Sequence, residues 1–92
     1  MRNVFELDDE ELEDCFDGSS NVDMVREILE KQGVVGKDGF VDIDQFAEWF
    51  AYGVEGYIDA DEETDEWQEA WDNNYAWGES IAENINEYLE EE

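Results

Sequence analysis

Apolar residues recur at three- and four-residue spacing through most of the chain, the interval that lines one face of a helix. Val4, Phe5 and Leu7 form a short apolar entry. Asp8 and Asp9 then offer a cap and first-turn negative charge for a helix to about Asp17, with Leu12, Cys15 and Phe16 inward and Gly18 as its stop. Ser20 or Asn21 caps a second helix whose inner face is Val22, Val25, Ile28 and Leu29, and Gly33 ends it. Its surface alone mixes charge, with Arg26 and Glu30, and Glu27 and Lys31, each four residues apart.

The pattern then changes. Val34 and Val35, followed by Phe40, Val41 and Ile43, flank the turn-rich Gly36-Lys37-Asp38-Gly39, which predicts a minor β-hairpin near residues 33–43. A third helix is expected from about Asp44 to Tyr52, with Phe46, Ala47 and Phe50 inward and Gly53 behind it. Gly56-Tyr57-Ile58 reads as a loop or one short strand. Helix four runs from Asp61 or Thr64 to Ala76, on a stripe of Trp67, Ala70, Trp71, Asn74 and Tyr75. Gly78 is expected to break it. Ser80-Ile81-Ala82-Glu83 matches a capping box and predicts a separate fifth helix carrying Ile81, Ile85, Tyr88 and Leu89. The expected architecture is therefore a single α+β domain, mainly helical, with about five short helices.

Charge alters this ordinary picture. The 92 residues carry 30 acids against 4 bases, a net of −26. Arg2, Arg26, Lys31 and Lys37 all precede residue 38, so residues 38–92 hold 19 acids and no base. Such density repels itself and destabilises the compact state. Solubility needs a net magnitude of only about 2–8. The excess points to a strongly basic partner, and it excludes nucleic acid and anionic membrane as direct ligands.

Other chemistry is thinly supplied. Cys15 is alone, so no disulfide or thiolate metal site is expected, and its place in an apolar stripe marks it as a small buried hydrophobe. With no His, no nucleophilic triad and no phosphate-binding glycine loop, enzyme activity is not expected. DGFVDIDQF and EGYIDADEE each look like the second half of an EF-hand loop, around Gly39 and Gly56. Yet the first and third ligand positions would be Val34 and Gly36 in one, and Ala51 and Gly53 in the other. Gln45 stands at position twelve of the first, while Glu62 falls correctly in the second. The expectation is capped turns, with no cofactor and no metal. No apolar run approaches a membrane span, and the acidic N-terminus is wrong for a signal peptide, so a cytoplasmic location is expected.

The segment from Asp59 to Glu92 concentrates the anomaly: it contains no cation and three of the four tryptophans. A disordered acidic tail would lack those aromatics. Glu79, Glu83, Glu87 and Glu91 step by four residues, about 6 Å along a helix axis, as an unpaired ladder. The candidate partner-binding acids are Asp59, Asp61, Glu62, Glu63, Asp65, Glu66, Glu69, Asp72, Glu79, Glu83, Glu87, Glu90 and Glu91. Trp67 and Trp71, one turn apart, read as core residues, whereas Trp49 and Trp77 sit off the cleanest inner stripes and are candidate aromatic anchors. Duplex DNA presents one phosphate every ~3.4 Å per strand, and carboxylates on rigid helices can occupy the same basic groove.

Residues 67–84, WQEAWDNNYAWGESIAEN, resemble a segment of the ArdA antirestriction proteins: Trp67, Glu69, Ala70, Trp71 and Tyr75, then Glu79, Ile81, Ala82 and Glu83, follow that order. The match spans about a fifth of the chain. More broadly the chain is similar to small phage-encoded DNA mimics such as the T-even anti-restriction nuclease protein and several anti-CRISPR proteins. The resemblance implies a phage or mobile-element inhibitor that plugs the DNA-binding groove of a restriction enzyme, CRISPR effector or nucleoid protein in the host cytoplasm. Two copies would lengthen the charged array, so a homodimer is left open. The rival expectations are an acidic adaptor for a basic protein that does not bind DNA, and a degenerate EF-hand-like calcium-binding domain.

Overall fold

The computed structural model describes residues 4–15 and 22–91. Phe16, Gly18 and the Ser20/Asn21 cap lie outside them. A short 3-10 helix, Val4–Glu6, leads to α1 (Asp9–Asp14), α2 (Val22–Lys31), α3 (Ile43–Val54), a second 3-10 helix (Glu55–Tyr57) and α4 (Asp65–Glu91). The domain is small and mainly helical, and the described residues contain no strand.

Local chemistry explains the starts of α1, α3 and α4. Asp8 caps α1 reciprocally: its carboxylate accepts from the Glu11 N–H at 2.9 Å, and Glu11 accepts from the Asp8 N–H at 3.1 Å. Asp42, two residues ahead of the expected start, caps α3 by accepting from the Gln45 N–H at 3.0 Å. At α4, Thr64 Oγ1 accepts from the Trp67 N–H at 3.3 Å. The stop of α2 is Gly33, at φ +64, where a glycine avoids the left-handed penalty of other residues.

Several expectations are corrected. The β-hairpin reduces to an isolated antiparallel bridge between Val35 and Val41. Its turn exists, with Gly36 N–H donating to the Phe40 carbonyl at 2.9 Å and Gly39 at φ +85. There is no length for strands, because α2 ends just before Gly33 and Asp42 is already committed as the cap of α3. The remaining edge of Val41 is taken by a side chain. Asn86 on α4 accepts from the Val41 N–H at 2.8 Å and donates to the Val41 carbonyl at 3.0 Å.

The second correction concerns Gly78. Helices four and five are one continuous α4 of 27 residues, about 40 Å long. Gly78 is buried within it, and a Cβ there would lie 2.9 Å from Ala47 Cα and 3.0 Å from Phe50 Cβ. The glycine lets α3 and α4 approach closely; the helix continues because packing outweighs a propensity cost of about 1 kcal/mol. Likewise Gly53 does not end α3, and Gly56 lies in the 3-10 helix Glu55–Tyr57, where a loop or strand was expected.

The core forms between α3 and the second half of α4, closed by α1, α2 and the bridge. Phe46, Phe50, Val25, Leu12, Ile81, Ile85 and Leu89 are fully enclosed. In α4 every buried residue lies at or beyond Gly78. Trp67 and Trp71, expected in the core, are only half-buried. Further along, Asn84 donates to the Cys15 carbonyl at the end of α1 (3.0 Å), and Tyr88 donates to Glu11 (2.6 Å). Arg26 ties α2 to the start of α1, reaching Asp9 at 2.7 Å and the Leu7 carbonyl at 3.1 Å.

Candidate functional site: a carboxylate face on a long helix

α4 turns roughly 100° per residue. Taking Asp65 as zero, Glu66, Glu69, Asp72, Glu79, Glu83, Glu87, Glu90 and Glu91 all fall within an arc of about 140°. The buried Gly78, Ile81, Ala82, Ile85 and Leu89 occupy the opposite side. Eight of these nine acids are exposed; Glu79, at one edge of the acidic arc, is half-buried. Asp59, Asp61, Glu62 and Glu63 lie on the exposed segment that leads into the helix and extend the same acidic run. The thirteen predicted acids thus belong to one segment of chain, and the nine on the helix share one face.

None of the thirteen forms an ion pair with another described residue; the pairs seen are Arg26–Asp9 at 2.7 Å and Lys31–Glu27 at 3.5 Å. The negative charge therefore meets solvent without an internal counter-charge. Acids at the N-terminus of α4 suit the helix dipole, whereas Glu87, Glu90 and Glu91 in the closing turns oppose it, with no basic residue in the last turn.

The aromatic candidates separate. Trp49 keeps 42% of its surface exposed. Trp77 packs edge-on against Phe50 at 4.9 Å between ring centres, so much of its surface is spent inside the domain. Sequence reasoning missed Tyr52 and Tyr57, which are 51% and 85% exposed. Their signal was position: each stands beside a glycine, off the inner stripe of α3.

Metal chemistry has little to work with. Val34, at the first position of the EF-hand-like loop, is a 1% exposed core residue, Gly36 has no side chain, and Asp42 is engaged as a helix cap. Among the described residues no group of three or more His, Cys, Asp or Glu is placed to hold an ion. Burial, followed by the nearby Asp14 and Glu11 carboxylates, pushes the Cys15 thiol up to about 11, which keeps it protonated and unreactive. Two open grooves of about 340 and 350 Å³ flank α3, and neither is lined by a pair of carboxylates. A smaller one, of about 210 Å³ at the turn of residues 36–42, has Asp38 and Asp42 on its wall, both engaged with backbone N–H groups.

No family model, no curated protein and no solved structure matches the chain. Among the described residues, no helix is long and apolar enough to cross a membrane.

Proposed function

We propose that this protein is a DNA mimic, carried by a phage or mobile element, which blocks the basic DNA-binding groove of a host defence nuclease or another bacterial DNA-binding protein. The observation that carries this reading is the single acidic face of α4, nine carboxylates within about 140° of arc on one unbroken helix. Isolated charge runs are ordinarily solvated faces. Here the acids share one side of one helix, have no ion-pair partner among the described residues and sit on a rigid element, so little ordering cost opposes binding. The molecule measures 44 × 25 × 20 Å. Its long dimension corresponds to about 13 base-pair steps of duplex. The ArdA-like segment, residues 67–84, lies wholly within α4.

As a mimic it would act stoichiometrically in the bacterial cytoplasm, as a plug with no chemistry of its own. Lys and Arg that normally meet phosphates would meet carboxylates, and the chain offers neither base edges nor a scissile phosphodiester. The test is affinity capture from a bacterial lysate, eluted with a salt gradient and, in parallel, with excess duplex DNA. Release of DNA-binding proteins by both eluents is the expected result. Partners that ignore duplex DNA would defeat the mimic reading and favour a basic partner of another kind.

A further inference from the structure

Four aromatic rings form a continuous ribbon across α3 and α4. Trp49 meets Tyr52 edge-on at 6.4 Å, Tyr52 meets Trp71 edge-on at 5.6 Å, and Trp71 stacks on Tyr75 at 5.9 Å. None of the four is buried, and Trp49 and Tyr52 retain 42% and 51% exposure. Core packing does not account for them. At one end Trp49 and Tyr52 line an open groove with Met24, Ile28 and Gly53, and Glu27 stands on the same wall.

The surroundings of the ribbon are anionic. Trp71 Nε1–H donates to Glu55 at 3.2 Å. The Tyr75 hydroxyl lies 3.5 Å from the Asp44 carbonyl. Partial desolvation, then the carboxylates of Asp44, Glu79, Glu48 and Asp42, raise its phenol above the ordinary value. Aromatic faces and carboxylates are thus interleaved in one strip.

That combination selects its occupant. A second copy of the chain would set −26 against −26. An apolar peptide would cover the rings but strip water from the neighbouring carboxylates without replacing their hydrogen bonds. A guanidinium satisfies both, because it is planar and weakly hydrated, stacks on aromatic faces and donates in a fork to carboxylates. Lysine, a compact and strongly hydrated point charge, pairs with carboxylates but meets the rings less well, having no plane to stack.

We propose that the Trp49–Tyr52–Trp71–Tyr75 ribbon is a docking surface for arginine side chains of a basic partner, stacked on the rings and paired with flanking carboxylates such as Glu55. The inference rests on the reading above only in taking the partner to be basic. A purely phosphate-like array would favour arginine over lysine only through fork pairing with carboxylates; the ribbon adds stacking that depends on its rings.

The full chain titrated with octa-arginine and octa-lysine peptides, followed by calorimetry and tryptophan fluorescence, tests this. The expected result is an affinity about 2–5-fold higher for the arginine peptide, with a change in tryptophan emission that the lysine peptide does not reproduce. The W49L/Y52L double variant, or Y52L alone if the double variant loses its helical circular dichroism, should keep its affinity for lysine and lose most of the preference for arginine. Equal affinities in the wild-type chain overturn the proposal. So does a preference that survives undiminished in the folded variant, because carboxylates alone would then be its source. Neither peptide reports on competition by duplex DNA, so failure here and failure of the mimic reading are separable.

Discussion

The carboxamide of Asn86 holds both peptide groups of Val41, accepting from its N–H at 2.8 Å and donating to its carbonyl at 3.0 Å. The two residues are 45 positions apart. On its other side, the Val41 segment faces Val34–Gly36, with Asp42 N–H donating to the Val34 carbonyl at 2.7 Å. One side chain therefore does for Val41 what a neighbouring strand would do, and it fixes α4 to the turn ahead of α3.

Asn86→Ala should consequently destabilise the fold by roughly 1–3 kcal/mol, since it leaves a buried residue's donor and acceptor without partners. Asn86→Asp restores the acceptor but not the donor and sets a carboxylate against the Val41 carbonyl, so it should not rescue. Urea denaturation of the three proteins measures this; wild-type stability in Asn86→Ala would show the clamp to be idle.

Gly78→Ala should be destabilising although alanine is the better helix former. The added methyl would meet Ala47 Cα at 2.9 Å and Phe50 Cβ at 3.0 Å, and backbone cannot move aside as a flexible side chain can. Overpacking of this kind costs about 1–3 kcal/mol, more than the ~1 kcal/mol of propensity gained. A melting temperature at or above wild type would contradict the close approach of α3 and α4.

Much of this fold is legible in the chain, and the failures share a cause. The spacing of Val22, Val25, Ile28 and Leu29, and of Phe46, Ala47 and Phe50, marks faces that are buried in the structure. Caps are short-range, so Asp8 is readable. Gly78 and Asn86 are not, because their roles depend on what α3 and the Val41 segment bring to them from far along the chain. The same blindness hides the aromatic ribbon: Trp71 and Tyr75 share a stripe, but only tertiary packing sets Tyr52 beside Trp71. The acids of α4 are legible as a ladder, yet their common face requires the helix to run unbroken through Gly78.

Alkaline titration should expose Cys15. Its thiol is raised from 9.0 to about 11 in the folded chain, so folding favours the protonated form. That contribution is fully present below pH 9 and is lost as pH rises through about 11. Tyr75, also raised from 10.0, acts in the same direction. Denaturation midpoints followed from neutral pH upward should fall more steeply in wild type than in Cys15→Ala; parallel curves would remove the thiol from this account.

The closing turns of α4 set stability against binding. Glu87→Gln, Glu90→Gln and Glu91→Gln together should raise the melting temperature at low salt, because each removes an anion that opposes the helix dipole by about 0.3–1 kcal/mol. The same variant should bind a basic partner more weakly and with a shallower dependence on salt. In the wild-type chain, raising ionic strength from about 0.01 to 0.15 M shortens the screening length from ~30 to ~8 Å and should itself stabilise the fold. A variant less stable than wild type would mean these carboxylates support the helix.

The ion pairs of the described residues draw their cations, Arg26 and Lys31, from α2, and spend them on Asp9 and Glu27. Among the described residues, none of the thirteen acids on and before α4 is held by a cation that must first let go. On that face no ion pair among the described residues has to break before a basic partner is met, so the proposed binding would be gated by no internal salt bridge and would follow the number of copies present.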